Sequence, residues 1–462
     1  MFSSKENVLL LSIRLYRIRN FFISRRFSSQ ISERSQTSSG PAPCNITADD
    51  AVVYVHWPYC KKRCTYCNFN KYISASVDHA RMRRCLVQET ATLLQQSGVR
   101  RVNSVFFGGG TPSLALPHTM AVVLETISQH ALLPADAEVT LEANPSSTET
   151  DKLREFKTAG INRLSLGIQA FSPPDLHLLG RDHSVEDSLR ALQEGRTLFP
   201  GRVSIDLIFG RPGQTVEAWR GELQQALSVC DDHVSLYQLT LERGTALFRQ
   251  VEKKQQTVPD PDTMADLYAC ARETLQNAGF QQYEVSNFAR NGAESSHNLS
   301  YWRGKQYIGV GPGAHGRFAC KGLGRTDREA RIQTLEPQQW MGRVERLGHA
   351  TAKRTSLSQL DILEEILMLG LRTTEGLANE RWVRFSGGTS LHDIFGTSVA
   401  AQGFVNAGLL ELSHSVLRAT HTGLAVLDSI IPDLLLATQD WYRHRCDDGD
   451  KTGLHYTSGR AE

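Results

Sequence analysis

Cys60-Lys61-Lys62-Arg63-Cys64-Thr65-Tyr66-Cys67 places three cysteines within eight residues, at spacing C-x3-C-x2-C. They follow Ala51-Val52-Val53-Tyr54-Val55-His56, an apolar run that reads as a buried strand. A strand that ends in three clustered thiols presents them together on one loop. Thiolates hold soft metals and iron–sulfur clusters. A structural zinc site closes with four ligands. The local run supplies three, so His56 or a distant residue would be the fourth. Three thiolates also suit a four-iron cluster with one iron left open to a ligand, and this is the favoured reading.

The chain has 462 residues, enough for two or three domains. At 40% hydrophobic and 22% charged residues it can bury a sizeable core. Nine cysteines is an odd count and no secretory signal pattern is present, which favours a reducing compartment over a disulfide framework. Cys44, Cys85, Cys230, Cys270, Cys320 and Cys446 stand singly and read as buried or free thiols.

The net charge of +2 is unevenly spread. Residues 1–40 carry seven Lys or Arg against two Glu, a net of +5, which leaves −3 for the remainder. That balance is not a basic nucleic-acid footprint. In the same stretch Leu9, Leu10, Ile13, Leu15 and Tyr16 interleave with Arg14, Arg17 and Arg19. An Arg- and Ser-rich, acid-poor, amphipathic start resembles a mitochondrial transit peptide, cleaved between about 25 and 45. The apolar run is broken at Arg14, too short for a secretory core and far short of a membrane span.

From residue 51 the chain alternates strands with helices. Strands are predicted at 51–56, 102–107, 138–143, 162–168, 202–209 and 233–239, and helices at 77–97, 117–131, 149–159, 184–197 and 214–229. Six strands with helical crossovers argue a parallel α/β architecture, either an open sheet or a barrel lacking two of its eight units. Each strand is followed by a polar or Gly-rich cluster: the three cysteines, Gly108 to Ser113, Glu142 to Pro145, Gly167 to Phe171, Gly210 to Thr215, and Thr240 to Thr245. Parallel α/β folds bind ligands at the carboxyl ends of their strands. The six clusters would line one mouth, with the metal site at its first strand.

Beyond residue 246 the pattern changes. Met264, Leu267, Tyr268, Ala271 and Leu275 form a helical stripe that reads as core. A strand is predicted at 283–288. His297-Asn298-Leu299-Ser300-Tyr301-Trp302 and a glycine-dense run from Ile308 to Gly316 follow. Residues 291–350 read as a linking segment and 355–436 as a small separate domain. In the latter, a helical face (Leu360, Leu363, Ile366, Leu367, Leu371) precedes a hairpin around Ser413-His414-Ser415. Helices plus a hairpin suggest a winged-helix-like α+β module, without a clear basic recognition helix. Residues 439–462 read as a flexible tail.

Taken together, the cysteine spacing and the ordered strand-end segments resemble the radical S-adenosylmethionine (radical SAM) superfamily. More narrowly, Tyr54 through Phe69 with the GGGTPS, EANP, SLGIQAF and IDLIFGRPGQT segments resemble the oxygen-independent coproporphyrinogen oxidase family, and within it the HemW-type haem chaperones. The resemblance spans residues 50–435 and implies a partial (βα)6 TIM-like barrel over residues 50–290. It implies that Cys60, Cys64 and Cys67 ligate a [4Fe-4S] cluster whose open iron takes S-adenosylmethionine. Tyr54, Tyr66, Gly109, Gly110, Thr111, Glu142, Gln169, Arg181 and Asp206 match positions around that ligand. Related oxidases carry a fourth cysteine two residues after the third, where this chain has Asn68-Phe69. The chaperone-type members carry HNxxYW, matched by His297, Asn298, Tyr301 and Trp302, and in them it is associated with haem binding. His315 and Cys320 are further candidate axial ligands. Packing of a loop is the plain alternative for the motif.

Two functions follow from these residues. In the first, the chain is a haem chaperone that transfers haem to an acceptor apo-protein, and is not an enzyme in the strict sense. In the second, a radical enzyme receives an electron from a donor, generates a deoxyadenosyl radical and oxidises a porphyrinogen-like or other substrate. The missing fourth cysteine favours the first. A metal-stabilised nucleic-acid-binding protein is disfavoured by the charge balance.

Overall fold

Strand β1 (Asp50–Trp57) sends its side chains to two different environments. Ala51, Val53, Val55 and Trp57 join the main apolar core, whereas Tyr54 packs with Phe106 and Ala314 on the opposite face. The period-2 alternation of a strand dictates this split. The same pattern repeats along the sheet, with apolar residues toward the helices and Ser104, Thr140, Ser165, Ser204 and Ser235 on the other face. These five polar residues are all buried.

The structure, a computed structural model, describes residues 50–74, 76–146, 150–320 and 328–451. The expected presequence, residues 1–40, lies outside them. The described residues fall into two units, 50–301 with 305–356, and 302–304 with 357–451.

In the first unit, β1 is followed by β2 (Arg101–Gly109), β3 (Glu138–Ala143), β4 (Arg163–Gln169), β5 (Val203–Phe209) and β6 (His233–Gln238). The hairpin β7 (Gln281–Glu284) and β8 (Asn287–Ala289) comes next. Then follow β9 (Gln306–Val310), β10 (His315–Ala319), β11 (Arg328–Gln333) and β12 (Thr351–Ser356). The sheet order is β12-β11-β10-β9-β1-β2-β3-β4-β5-β6-β8-β7. Strands β1 to β6 pair in parallel with their sequence neighbours.

Because the order of β1 to β6 never reverses, right-handed crossovers put the helices that connect them on one face and leave the other to line a lumen. The helices include α1 (His79–Ser97), α2 (Pro117–His130), α3 (Leu153–Thr158), α4 (Pro173–Leu178), α5 (Val185–Leu198), α6 (Val216–Val229), α7 (Ala246–Glu252) and α8 (Pro261–Asn277). Local signals set their starts: Ser184 and Asp187 form a capping box before α5, and Thr215 caps α6. This is the partial barrel expected from the resemblance, with β7 and β12 as the edges of the sheet among the described residues.

Three expectations need correction. Residues 283–288 do not form one strand: Val285 and Ser286 make the turn between β7 and β8. The segment 291–350 is not a linker. It contributes α9 (Ser296–Trp302), α10 (Pro337–Leu347) and β9, which pairs in parallel with β1, followed by the antiparallel β10 and β11. Its buried apolar side chains, such as Ile308, Val310 and Phe318, complete the main core. The tail expected from 439 is helical through Lys451, in a helix that starts at Leu427 and buries Leu434 and Leu435.

The second unit carries a helix at Gln359–Leu371, capped by Ser358, and a three-stranded sheet whose hairpin is Leu410–Leu412 with Val416–Ala419. Trp382, Phe395 and Leu417 sit in its core. Helices plus a hairpin match the expected winged-helix-like module. No helix among the described residues is long and apolar enough to cross a membrane.

Glu89 of α1 ties this helix to the C-terminal wing of the sheet. Its carboxyl group accepts from the Gly311 N–H at 2.8 Å, the Ala350 N–H at 2.7 Å and Trp340 Nε1 at 2.9 Å. Removing the carboxylate would orphan three buried donors, each worth about 1–3 kcal/mol. Glu89→Ala is therefore expected to lower the free energy of unfolding by about 3 kcal/mol or more, read by denaturant titration; a loss below about 1 kcal/mol would refute this account.

Candidate functional site

After β1 the chain forms a short bridge, Tyr59–Cys60, and returns beside it at Tyr72–Ile73, so the cysteine loop closes on itself. The Thr65 N–H donates to the Leu179 carbonyl at 3.0 Å and Thr65 Oγ1 to the Leu178 carbonyl at 2.8 Å. The Leu247 N–H at the start of α7 donates to the Thr65 carbonyl at 2.8 Å. The loop is thus anchored from α4 and α7, two elements that sequence reasoning had not connected to it.

Donors surround the sulfurs. Thr111 Oγ1 donates to Cys60 Sγ at 3.2 Å, and Arg181 Nη1 donates to Cys64 Sγ at 3.2 Å. The buried Lys71 ammonium donates to the Cys67 carbonyl. Burial pushes the Cys60 thiol up to about 12, against the Thr111 hydroxyl, and raises Cys67 against the nearby Lys71 charge. Thiols so placed release their protons to a metal rather than to water. His56 is not their fourth partner. Its Nδ1 bonds to Tyr54 OH at 3.1 Å and its Nε2 to the Asn70 carbonyl at 2.8 Å, and burial lowers its pKa to about 4. Among the described residues no three His, Cys, Asp or Glu side chains gather around one point.

The glycines after β2 permit close approach. Gly109 has φ +112°, and a Cβ on it would lie 2.5 Å from the His56 ring. A Cβ on Gly110 would come within 2.9 Å of the Pro58 and Tyr59 carbonyl oxygens. The Gly109 N–H donates to Glu142 Oε2 at 3.1 Å, that of Gly110 to the Trp57 carbonyl at 2.7 Å, and that of Thr111 to the Tyr59 carbonyl at 3.0 Å. The Gly110 and Thr111 N–H groups dock the cysteine-bearing segment. What the loop can offer a ligand is carbonyl oxygen, which suits an ammonium.

Arg181 joins the loop to the rest of the mouth. Its Nη2 donates to Asn144 Oδ1 at 2.6 Å and to the Gly167 carbonyl at 2.8 Å, and its Nη1 reaches Tyr66 OH at 3.5 Å as well as Cys64. Asp206 is buried and accepts from Ser165 Oγ at 3.1 and 3.3 Å. Gln169 Oε1 and Arg181 Nε are buried without a hydrogen-bond partner. Unsatisfied buried polar atoms in a built site point to a missing ligand. The carboxyl ends of β1 to β4 thus bring together Tyr54, the three cysteines, Tyr66, Gly109 to Thr111, Glu142, Gln169 and Arg181, while Asp206 sits midway along β5 beside Ser165 of β4. Asn70, Lys71 and Asn144 were missed. Asn144 lay in a cluster already noted, and Asn70 and Lys71 come three and four residues after the third cysteine.

The HNxxYW residues lie elsewhere. The Ser296 and His297 N–H groups, at the start of α9, donate to Glu138 at 3.0 Å each, and Glu138 is the first residue of β3. His297 is fully buried, with Nδ1 on Ser104 Oγ at 2.8 Å and Nε2 on Tyr301 OH at 3.0 Å, and it stacks on Phe106 at 5.1 Å. Tyr301 meets Tyr307 edge-on at 4.8 Å, and Asn298 Nδ2 donates to Glu284 at 3.2 Å. Trp302 is buried and groups with the second unit. These contacts close the amino-terminal end of the lumen, opposite the cysteines. Both ring nitrogens of His297 are engaged, so the ring is not presented as an iron ligand. His315 opens β10, and Cys320 donates to Glu329 at 3.3 Å and accepts from Arg331 at 2.8 Å; neither stands with the cysteine loop.

Comparison with known proteins agrees with this geometry. A family model described as the radical SAM superfamily matches residues 54–226, and one described as the HemN C-terminal domain matches residues 357–426. The mitochondrial radical S-adenosyl methionine domain-containing protein 1 of Bos taurus is 56% identical over 408 residues, 88% of this chain and 92% of that protein. The chain belongs to this radical SAM family. Relatives of the same name reach 52–56% identity, and the chain is mitochondrial. A protein named heme chaperone HemW, from Bacillus subtilis (strain 168), is 32% identical over 371 residues, 80% of this chain and 95% of its own length. The solved structure of coproporphyrinogen III oxidase (HemN) from Escherichia coli superposes with a TM-score of 0.68 at 21% identity, covering 85% of this chain and 90% of that one. At that identity the superposition establishes the shared radical SAM fold.

Two outcomes are expected. Replacing Cys60, Cys64 and Cys67 together with Ala should abolish iron and sulfide uptake on anaerobic reconstitution; retained iron would refute the ligand assignment. His297→Ala should lower the thermal midpoint while leaving haem affinity, read by absorbance titration, unchanged; a lost haem complex in a folded variant would restore the ring as a ligand.

Proposed function

We propose that this chain is a mitochondrial haem-binding protein that passes haem to acceptor apo-proteins, on a scaffold that holds a [4Fe-4S] cluster and S-adenosylmethionine. The observation that carries the haem half is the relation to a named heme chaperone across nearly its whole length. Asn68-Phe69, in place of the further cysteine of the related oxidases, supports separation from porphyrinogen oxidation.

Cys60, Cys64 and Cys67 would hold the cluster, with Thr111 and Arg181 donating to the first two sulfurs. Those hydrogen bonds stabilise negative charge on sulfur. A reduced cluster of this kind supplies an electron to the sulfonium of S-adenosylmethionine, and an external donor protein would deliver that electron. Glu142 and Asp206 would offer carboxylates to the sulfonium or the ribose, and the carbonyls of the Gly109-Gly110 turn would suit the methionine ammonium. Tyr54 and Phe106 provide an apolar wall beside them. Arg181 is already shared among Cys64, Tyr66, Asn144 and Gly167, so its main task is to hold the cysteine loop.

A second reading, a radical enzyme acting on a porphyrinogen-like substrate, is favoured by the buried polar lumen below the mouth, where Ser165, Asp206 and Ser235 would meet a polar substrate. One experiment separates the two. Reconstituted, reduced and haem-loaded protein is mixed with S-adenosylmethionine and an apo-haemoprotein. Haem transfer without stoichiometric deoxyadenosine is the expected result. Deoxyadenosine formed in step with a modified tetrapyrrole would overturn the chaperone reading.

A further inference from the structure

Gln169 ends β4 with φ +72°, in the left-handed region that glutamine rarely occupies. The ladder to β5 slips at the same place: Leu166 pairs with Ile205, but Gln169 pairs with Leu207. One extra residue on β4 makes a bulge, a device that re-aims a side chain. The Gln169 carboxamide comes to lie over Gly167, where a Cβ would sit 2.9 Å from Gln169 Nε2. Its Oε1 is buried without a partner. An outlier held this firmly needs something behind it.

Two buried charges stand there. Arg211 is 2% exposed and donates from Nη1 to the Gln169 carbonyl at 3.3 Å. The same guanidinium pairs with the buried Glu222, through Nη1 to Oε1 at 3.2 Å and through Nη2 to Oε2, and with Asp175 at 3.3 Å. Glu222 Oε1 in turn accepts the Phe171 N–H at 2.8 Å. One ion pair therefore grips the chain on both sides of the kink, the Gln169 carbonyl by its cation and the Phe171 N–H by its anion. The cation is itself fixed. Gln214 Oε1 accepts the Gly210 N–H at 2.7 Å and the Arg211 N–H at 3.3 Å, which shapes the Gly-Arg-Pro-Gly-Gln loop after β5. A buried ion pair is a poor source of net stability, because desolvation offsets the attraction. Orientation of Gln169 is the return that the geometry offers.

We propose that Arg211 and Glu222 are positioning residues for the ligand of the mouth. They hold Gln169 in its left-handed conformation so that the carboxamide oxygen meets a ligand hydroxyl, the ribose hydroxyl of S-adenosylmethionine. The inference rests on the cofactor reading above and adds the device that presets its acceptor.

The test uses the full chain, reconstituted anaerobically, and measures S-adenosylmethionine affinity by equilibrium dialysis for Arg211→Lys and Glu222→Gln, each also in a Gln169→Gly background. Iron content and thermal unfolding are followed in parallel. Each single variant should bind about tenfold more weakly, the scale of one aligned hydrogen bond, with unchanged iron content. In the Gln169→Gly background the same substitutions should cause no further loss, because there is no side chain left to aim. Equal losses in both backgrounds would mean a general structural role and overturn the proposal. Affinities within twofold of the parent would also overturn it. A parent chain that loads its cluster but binds no S-adenosylmethionine would overturn the cofactor reading and the positioning role with it.

Discussion

Parallel strands paired in sequence order, each returning by a right-handed crossover, fix almost everything else in the first unit. The helices that connect them must fall on one face. All carboxyl ends must point the same way, so the cysteine loop after β1, the glycine turn after β2 and the bulge at the end of β4 face a common mouth. The apolar side chains of each strand pack outward against the helices, and the intervening residues must line the lumen. Polar groups there are tolerable only because they pair: Ser165 with Asp206, Ser204 with His233 at 2.7 Å, Ser235 with Asn287 at 2.7 Å.

The two ends of that lumen differ in kind. At the carboxyl end, Gln169 and Arg181 leave buried polar atoms without partners, the mark of a place prepared for something else. At the amino end, Glu138 caps the start of α9, and His297 and Tyr301 bond to each other beneath Phe106. The first end keeps unspent buried polar atoms, whereas the second is packed and paired.

The cysteine loop shows how a short motif depends on distant parts of the chain. Its sulfurs are served by Thr111 and Arg181, its backbone by Leu178, Leu179 and Leu247, and its C-terminal return by Lys71 and Asn70. Arg181 carries the largest share, because one planar guanidinium satisfies acceptors from the loop, from Asn144 and from the β4 backbone at once. Lysine at that position would hold a single point rather than a fork.

Much of this was legible in the sequence. The ends of the six strands agree with the apolar runs to within a residue or two, because burial on both faces leaves few polar residues to blur a strand. The mouth was legible because strand-end clusters recur in phase. Local chemistry also determined that three thiols share one loop and that a helix-and-hairpin module follows. Only the tertiary structure decided the rest. The run from Ile308 to Gly316 reads as a glycine-dense connection, yet it falls on β9 and β10 and extends the sheet, since β9 gains its partner from β1, some 250 residues earlier in the chain. The His-Asn-x-x-Tyr-Trp motif reads as a ligand set, yet its histidine is spent on Ser104 and Tyr301. The grip of Arg211 and Glu222 on Gln169 had no sequence signal, because its members come from two successive strand–helix units, some 40 to 50 residues apart in the chain. Spacing along the chain reports neighbours on one element; which elements share a lumen, and which polar atoms remain unpaired inside it, is settled when the sheet curls.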